Sequence, residues 1–297
     1  MLTTPAKSIL SPWHEGSWYG PCYGANLYRG CCHGCIYCDS RSECYGIENF
    51  DTVRAKENAL AILERELRSK RRTGLVALGA MSDSYNPFEE QERLTRGALE
   101  LFERYGFGAA FDTKSPLAAR DGDILREIMK RAPAAVSFTV TCADDGLSRK
   151  IEQNVAPTSR RLEALASLAA QGIPCGVLLM PILPFVNDTE ENLLGILRMA
   201  KEAGAKWAFF YGMLGVTLRG NQRMHFLGKI EELFPGMKHR YIAAYGEAYQ
   251  CPVPDHRRLV PLVIKECERL GLLWRMEDIA ALVQSPYDAE ARQMRLF

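Results

Sequence analysis

The 297-residue sequence predicts an α/β fold in which about six strand–helix units follow one another and form a parallel sheet. The first observation is a series of short apolar segments, such as 75–81 and 134–141, which are typical of strands buried on both faces. The second is a series of amphipathic segments between them, such as 160–171, with leucines at helical spacing. The third is the chain length, because barrels of this length often form one domain.

The predicted elements follow in order along the chain. Residues 1–22 are rich in proline, tryptophan and glycine and predict an irregular N-terminal arm. The barrel is predicted over 23–235, with strands at about 22–29, 75–81, 107–113, 134–141, 176–180 and 207–213 and helices at about 51–70, 89–105, 122–131, 160–171, 189–203 and 217–234. Residues 236–297 form a mostly helical C-terminal extension, with an amphipathic helix at about 256–270.

Charge and cysteine content limit the class of protein. The chain has 37 Lys and Arg against 36 Asp and Glu, so its total charge does not indicate a nucleic-acid partner. The best basic patch, 65–72, is more typical of a solvated helix end. Residues 1–20 lack a basic start followed by an apolar run, so we expect no signal peptide, and no apolar run approaches the ~18 residues of a membrane span. Because the ten cysteines do not form a regular disulfide framework, we expect a reducing, cytoplasmic location.

The densest chemical motif is the segment 26–39, which holds Cys31, Cys35 and Cys38 in the spacing C-x3-C-x2-C. Three thiolates on a loop with two glycines can converge on one soft metal centre. Thiolate sulfur selects iron–sulfur clusters or zinc over hard cations. Structural zinc usually takes four protein ligands, so three cysteines without a regular fourth favour a [4Fe-4S] cluster with one open iron.

A zinc site is the alternative that the cysteine spacing alone leaves open. The residues near enough in sequence to supply a fourth ligand are Cys22, Cys32, His33 and Cys44. Under this hypothesis the chain is a non-catalytic zinc or iron–sulfur protein that senses redox state or binds a partner.

The longer pattern of residues 26–38, Asn-x-Tyr-Arg-Gly-Cys-x-His-Gly-Cys-x-Tyr-Cys, resembles the radical S-adenosylmethionine (SAM) superfamily. It is closest to the spore photoproduct lyase-like branch, and the resemblance extends over about 23–203. It implies a partial (β/α)6 TIM-type barrel that is open on one side. It also implies a [4Fe-4S] cluster, SAM, and an external electron donor of the flavodoxin or ferredoxin type. The expected reaction is reductive cleavage of SAM to a 5′-deoxyadenosyl radical that takes hydrogen from a substrate.

Polar residues follow the second and third barrel strands, at the edge where parallel barrels carry their chemistry. Ser82 and Asp83 offer acceptors for an ammonium group, and the resemblance implies that they hold the SAM amino group. The alternative is that Asp83 caps a turn. Lys114 closes a buried strand and should meet an anion, because an unpaired buried ammonium is costly. The resemblance implies the SAM carboxylate; the alternative is a Lys114 that reaches solvent or pairs with Asp83.

The fourth strand carries Ser137, Thr139 and Thr141 at alternating positions, so their hydroxyls share one face. Thr139 best matches a hydroxyl that contacts SAM in the family. Glu152 and Arg161 match the family's acid and downstream arginine, which implies ribose and carboxylate contacts. Either residue is also consistent with an ordinary surface charge.

Two hydrophobic positions complete the predicted cofactor site. Tyr37 is the aromatic residue before the last cysteine of the motif. Ile182 lies in the apolar segment 180–184 after the fifth strand, where the resemblance implies an adenine pocket. The alternative for this segment is an ordinary core strand followed by a helix cap at Asp188.

The sequence departs from the family's lyases at two positions. Ala80 stands where they carry a hydrogen-donating cysteine, and Asp39 stands where they carry a tyrosine. Alanine cannot donate a hydrogen atom. A radical SAM enzyme with an unidentified substrate is therefore our first hypothesis, and a DNA repair lyase acting on a pyrimidine photoproduct is the second.

Overall fold

The computed structural model describes residues 1–12, 18–20 and 23–293. Its strands are β1 (Leu2–Thr4), β2 (Leu10–Pro12), β3 (Tyr23–Ala25), β4 (Tyr28–Arg29), β5 (Arg54–Lys56), β6 (Leu75–Leu78), β7 (Gly108–Thr113), β8 (Ala134–Thr139), β9 (Cys175–Leu178), β10 (Trp207–Phe209), β11 (Gly215–Thr217) and β12 (Gln250–Pro252). Its α-helices are α1 (Ala59–Ser69), α2 (Glu89–Glu92), α3 (Leu94–Tyr105), α4 (Gly122–Ile128), α5 (Asp145–Ile151), α6 (Thr158–Ala170), α7 (Glu190–Glu202), α8 (Gly220–Leu233), α9 (Met237–Tyr245), α10 (His256–Leu270) and α11 (Met276–Gln293). Single turns of 3-10 helix occur at Asp39–Arg41 and Glu43–Tyr45, and a longer one at Pro116–Asp121.

The central sheet has seven strands in the order β10-β9-β8-β7-β6-β3-β2. Six of them, β3 and β6 to β10, are parallel, and β2 is an antiparallel edge strand. Within the described strands β10 and β2 do not pair with each other, so the sheet does not close. The predicted α/β partial barrel with six parallel strands is confirmed. Its C-terminal region is largely helical, as expected.

The outer face of the sheet carries the larger core. Strand residues such as Val136 and Phe138 belong to one buried cluster with Leu99, Phe102 and Leu165 of the covering helices. Each such side chain contributes about 1.5–3 kcal/mol when it leaves water. This burial explains why the strands read as continuous apolar segments and the helices as amphipathic ones.

The inner face of the sheet carries a smaller core. The cluster there consists of Tyr19, Leu75, Ala110, Ala135, Leu178, Trp207, Phe209, Ile279 and Val283. Gly176 is required beside this cluster, because a Cβ at that position would collide with the Trp207 ring. Ile279 and Val283 belong to α11, so the C-terminal extension packs into the inner core of the barrel.

The structure differs from the sequence expectations in several places. The described part of the predicted irregular arm contains two three-residue strands, β1 and β2, which pair with β5 and β3. The predicted helix over 89–105 is divided at Arg93, which has φ +51°. Helix α5 was not predicted. Such short elements depend on their partners rather than on their own periodicity. Within the described ranges no helix has both the length and the apolar character that a membrane span needs.

Candidate functional site

A cavity of about 500 Å³ lies at the carboxyl ends of the parallel strands. Eight of the predicted site residues line it: Cys31, Cys35, Tyr37, Cys38, Ser82, Asp83, Lys114 and Thr139. They come from four separate strand–helix connections, which the parallel sheet brings to one edge. Glu152, Arg161 and Ile182 do not line this cavity.

The cysteine loop depends on close backbone contacts. Gly30 has φ +79°, and a Cβ there would collide with the carbonyl groups of Phe50 and Thr52. The Cys31 amide donates to the Phe50 carbonyl at 2.8 Å. Gly34 has φ +69° and packs against Asn154. The two glycines of the motif therefore allow the loop to turn and to bring its thiols to the cavity.

The three thiols are buried, and burial controls their acidity. Burial raises the pKa of the Cys31 thiol to about 12 and also raises the pKa values of Cys35 and Cys38. The Lys114 ammonium opposes this rise at Cys35 and Cys38. The free thiols are consequently protonated near neutral pH, and metal binding must release their protons.

The candidates for a fourth zinc ligand lie in different surroundings. His33 is buried with Nδ1 3.6 Å from Asp83 Oδ2, and burial lowers its pKa although Asp83 opposes this. Cys32 is half-buried and Cys44 is exposed, whereas Cys22 lies outside the described residues. In the described part of the chain, no three His, Cys, Asp or Glu side chains are arranged so that they could hold one metal ion between them, as a zinc site would require.

Asp83 ties the connection after β6 to the end of β7. Its carboxylate accepts hydrogen bonds from the Thr113 hydroxyl at 2.8 Å, the Lys114 amide at 2.8 Å and the Tyr85 amide at 2.9 Å. The last bond is the turn cap that the sequence offered as an alternative. Ser82 is buried and donates to the Tyr28 carbonyl at 3.2 Å. The two side chains therefore fix their loop while both line the cavity.

Lys114 presents a cation to the cavity. Its Nζ lies 5.8 Å from the centroid of the Tyr37 ring, and only its backbone amide bonds to Asp83. Burial alone would lower the pKa of Lys114, but the Cys35 and Glu152 groups outweigh it, so the pKa is raised. Lys114 is therefore a charged ammonium at neutral pH.

Glu152 and Arg161 form a buried ion pair behind Tyr37. Arg161 Nη2 lies 2.6 Å from Glu152 Oε2, and both side chains are fully buried. The Tyr37 hydroxyl donates to Glu152, and Arg161 Nη1 donates to the Thr139 carbonyl at 2.9 Å. Burial disfavours the Glu152 carboxylate, but Arg161 and Lys114 keep its pKa below the ordinary value. The pair positions two residues that line the cavity.

The expected adenine pocket follows β9. Ile182 is fully buried, and Met180 is the residue of this segment that lines the cavity.

Asp39, one of the two departures from the family's lyases, is held by two partners. It forms an ion pair with Arg219 at 2.5 Å and accepts from the Tyr45 hydroxyl at 2.6 Å. Asp39 thus joins the end of the cysteine loop to the start of α8.

The sequence reasoning did not identify four further cavity residues, Trp18, Tyr19, Asp112 and Tyr211. Asp112 carried a usable signal, because it is a charge within a buried strand, two residues before Lys114 and on the same face. Trp18 and Tyr19 carried none, because the N-terminal arm has no periodicity that would place it inside a barrel. Tyr211 follows β10 and had no assigned role.

A family model described as the Radical SAM superfamily matches residues 25–195 of the chain. An uncharacterised protein of Mycobacterium tuberculosis is 31% identical over 255 residues, which cover 82% of this chain and 74% of that protein. An uncharacterised protein of Methanocaldococcus jannaschii is 30% identical over 174 residues, which cover 58% of this chain and 64% of that protein.

Solved structures with a similar fold include spore photoproduct lyase complexed with dinucleoside spore photoproduct, with a TM-score of 0.64 at 14% identity. That match covers 89% of this chain and 79% of the lyase chain. A mutant of the same lyase gives a TM-score of 0.65 at 14% identity over 89% of this chain and 79% of its own. At this level of identity the likeness shows the fold alone.

Proposed function

Because this chain belongs to the radical SAM superfamily, we propose that it is an enzyme that binds a [4Fe-4S] cluster through Cys31, Cys35 and Cys38 and cleaves SAM reductively. When bound, the cluster and SAM supply a 5′-deoxyadenosyl radical that takes a hydrogen atom from a substrate. The observation that carries the proposal is that the three cysteine thiols, the Asp83 carboxylate and the Lys114 ammonium line one cavity.

The donor set fits a cluster. Three thiolates bound to three different irons surround a cluster from separate sides, so they need a shared cavity rather than a single meeting point. Cys31, Cys35 and Cys38 line such a cavity, and the Lys114 ammonium offsets the negative charge of two of the thiolates. An external electron donor of the flavodoxin or ferredoxin type is part of the proposal, as is a cytoplasmic location.

The charged residues of the cavity fit the amino acid end of SAM. Lys114 offers a cation to the carboxylate of SAM. Asp83 accepts three hydrogen bonds, and a carboxylate has about four acceptor positions, so one remains for an ammonium. Thr139 offers a hydroxyl at the end of β8. In this proposal Tyr37, Glu152 and Arg161 position the site, Ser82 fixes its loop, and the fully buried Ile182 belongs to the core.

Repair of a pyrimidine photoproduct is the second candidate. The likeness to spore photoproduct lyase favours it only at the level of the fold. Ala80 lines the cavity at the position of the lyases' hydrogen-donating cysteine. The two candidate substitutes, Cys142 and Tyr85, are both buried and do not line the cavity. The Cys142 thiol accepts from the Asn187 amide at 3.6 Å, and the Tyr85 hydroxyl donates to Asp121 at 3.1 Å. A substrate radical in this cavity therefore has no cysteine at the lyase position to take hydrogen from.

The test begins with anaerobic reconstitution of the protein with iron and sulfide, followed by reduction with dithionite and addition of SAM. We expect 5′-deoxyadenosine from the wild type and none from the Cys31→Ala, Cys35→Ala, Cys38→Ala triple variant. Cys44→Ala is the matched control, because this thiol is exposed and does not line the cavity. Failure to take up iron, with tight stoichiometric zinc binding instead, would favour the zinc hypothesis. SAM cleavage that leaves spore photoproduct in DNA unchanged would exclude repair.

A further inference from the structure

Part of the cavity lining has no role in the proposed binding of the cluster and SAM. We call Cys31, Cys35, Tyr37, Cys38, Ser82, Asp83, Lys114 and Thr139 the cofactor wall. Trp18 and Tyr211 also line the cavity, and we call them the aromatic wall. Asp112, on β7, lines the cavity as well. A substrate of the proposed reaction must contact these residues to lie beside SAM.

Asp112 has one carboxylate oxygen that remains available. Oδ1 accepts a hydrogen bond from the Tyr19 hydroxyl at 3.0 Å, whereas no donor among the described residues bonds to Oδ2. The charged groups that face Asp112 are Lys114 and Asp83. If these two hold the carboxylate and amino groups of SAM, Asp112 is left to bind something else, whereas the other acid of the lining, Asp39, is paired with Arg219.

The hydrogen of Tyr19 is directed at Asp112 by a chain of hydrogen bonds. The Trp207 indole N–H donates to the Ser137 hydroxyl at 2.9 Å, and Ser137 is in hydrogen-bond contact with the Tyr19 hydroxyl. Because Tyr19 has one hydrogen and gives it to Asp112, Ser137 donates to Tyr19. Oδ1 of Asp112 is thus held by a fixed donor, and the carboxylate orientation is set before any ligand enters.

The aromatic wall presents flat rings to the cavity. Trp18 packs edge-on against Phe209 at 5.1 Å and against Tyr211 at 6.3 Å between ring centroids. Phe209 in turn supports Tyr211 at 5.5 Å. Tyr211 nevertheless remains 49% exposed. An aromatic side chain that lines the cavity, is held by two other rings and remains partly exposed can offer a stacking surface for a ring.

Both chain ends hold this part of the cavity in place. The Tyr19 amide contacts the Met276 sulfur at 3.2 Å, and the Gln284 side-chain amide donates to the Tyr19 carbonyl. Met276 and Gln284 belong to α11, so the last helix fixes the segment that carries Trp18 and Tyr19. These contacts with α11 therefore hold Trp18 and Tyr19 in a defined position.

We propose that the space between Asp112 and the aromatic wall is the substrate subsite and that it takes a small cation with an aromatic ring, that is, an aromatic amine. The ring stacks on Tyr211 and Trp18, and the amino group donates to Oδ2 of Asp112. This inference rests on the proposed function only in that it assigns the cofactor wall to SAM.

The first experiment compares three ligands on the wild type. The anaerobically reconstituted protein is loaded with SAM without a reductant, so that SAM stays intact, and titrated by calorimetry. The ligands are phenethylamine, 3-phenylpropionate with the opposite charge, and 2-cyclohexylethylamine without a flat ring. We expect phenethylamine to bind at least tenfold more tightly than 3-phenylpropionate and several-fold more tightly than 2-cyclohexylethylamine. Equal binding of the three ligands, or no binding of phenethylamine, would overturn the proposal.

The second experiment tests which residue is responsible for the preference for a positive charge and which for the preference for a flat ring. Asp112→Asn should reduce the preference for phenethylamine over 3-phenylpropionate from tenfold to about even, whereas Glu90→Gln, an exposed acid off the cavity, should not. Tyr211→Leu should remove the preference for the flat ring. Tyr249→Leu is its control, because Tyr249 is 45% exposed and does not line the cavity.

The outcomes separate this proposal from the one on which it rests. If SAM is cleaved to 5′-deoxyadenosine but the amine does not bind, the subsite assignment fails and the radical SAM proposal stands. If the protein takes up no iron, the radical SAM proposal fails first. If Asp112→Asn weakens SAM binding as much as it weakens amine binding, Asp112 belongs to the sulfonium of SAM and the subsite proposal is wrong.

Discussion

The cofactor wall and the aromatic wall of the cavity are built in different ways. The cofactor wall comes from the stretch between Cys31 and Thr139, and its polar groups are tied by many internal bonds, such as the three to Asp83. The aromatic wall joins Trp18 near the amino end to Tyr211 in the second half of the chain, and its contacts are mainly between rings. If both proposals hold, the cofactor site depends mainly on residues at neighbouring strand ends, whereas the ligand preference depends on contacts between residues far apart in the sequence.

The largest expected effect comes from the ion pair behind the cofactor wall. Arg161→Met leaves the fully buried Glu152 carboxylate without its partner, which should cost about 3–5 kcal/mol of the free energy of unfolding. Arg160→Met is the matched control, since Arg160 is exposed and pairs only with Glu163, so its loss should cost at most about 1 kcal/mol. Denaturant unfolding of both variants measures the difference.

The same experiment tests the role that the sequence suggested for this pair. If Arg161 bound SAM and did little else, Arg161→Met would unfold like the wild type and lose only SAM affinity. A double variant, Glu152→Gln with Arg161→Met, should recover part of the stability, because it removes the unpaired buried charge. No recovery in the double variant would contradict the ion-pair account.

A smaller effect is expected at the cation of the cofactor wall. Lys114→Met should weaken SAM binding by roughly 10- to 100-fold, because a hydrogen bond to a charged group contributes about 1.5–3 kcal/mol. Equilibrium binding to the reconstituted protein without reductant measures it, and iron content should stay unchanged. Lys130→Met is the control, since Lys130 is exposed and pairs with Glu127. An unchanged SAM affinity in Lys114→Met would mean that Lys114 does not bind SAM.

The smallest expected effect is the pH dependence of stability at Asp112. Burial, opposed by the Tyr19 hydrogen bond and Lys114, raises the pKa of Asp112 to about 7 from 3.8. Between these values the unfolded chain loses this proton while the folded protein keeps it, so the group lowers stability as pH rises toward about 7. Asp112→Asn removes this cost. Its melting temperature relative to the wild type should therefore be higher at pH 8 than at pH 5.5, by about 2 °C.

Thermal unfolding of the reconstituted protein at the two pH values checks this prediction. Asp123→Asn provides the control, because Arg96 holds the pKa of Asp123 at about 2, so this carboxyl is ionised in the folded and the unfolded chain at both pH values and the effect of the variant should not change with pH. A difference between Asp112→Asn and the wild type that is the same at pH 5.5 and pH 8 would mean that Asp112 has an ordinary pKa.

The sequence by itself determined the six parallel strands and the cysteine loop. Strands β6 to β10 are buried on both faces, so their apolar runs carried the signal directly. Cys31, Cys35 and Cys38 lie within eight residues of one another, so their spacing alone predicted that they line one cavity, although contacts with Phe50 and Asn154 shape the loop. The positions of Asp83 and Lys114 followed in the same way, because parallel strands end at one edge.

Only the tertiary structure decided what the remaining residues do. Sequence spacing could not show that Glu152 and Arg161 turn toward each other behind Tyr37. It could not bring Tyr19 to Asp112, 93 positions later, or place α11 against Tyr19. Contacts between residues so far apart leave no periodic signal in either segment, because each is fixed by the packing of the whole barrel rather than by its own neighbours.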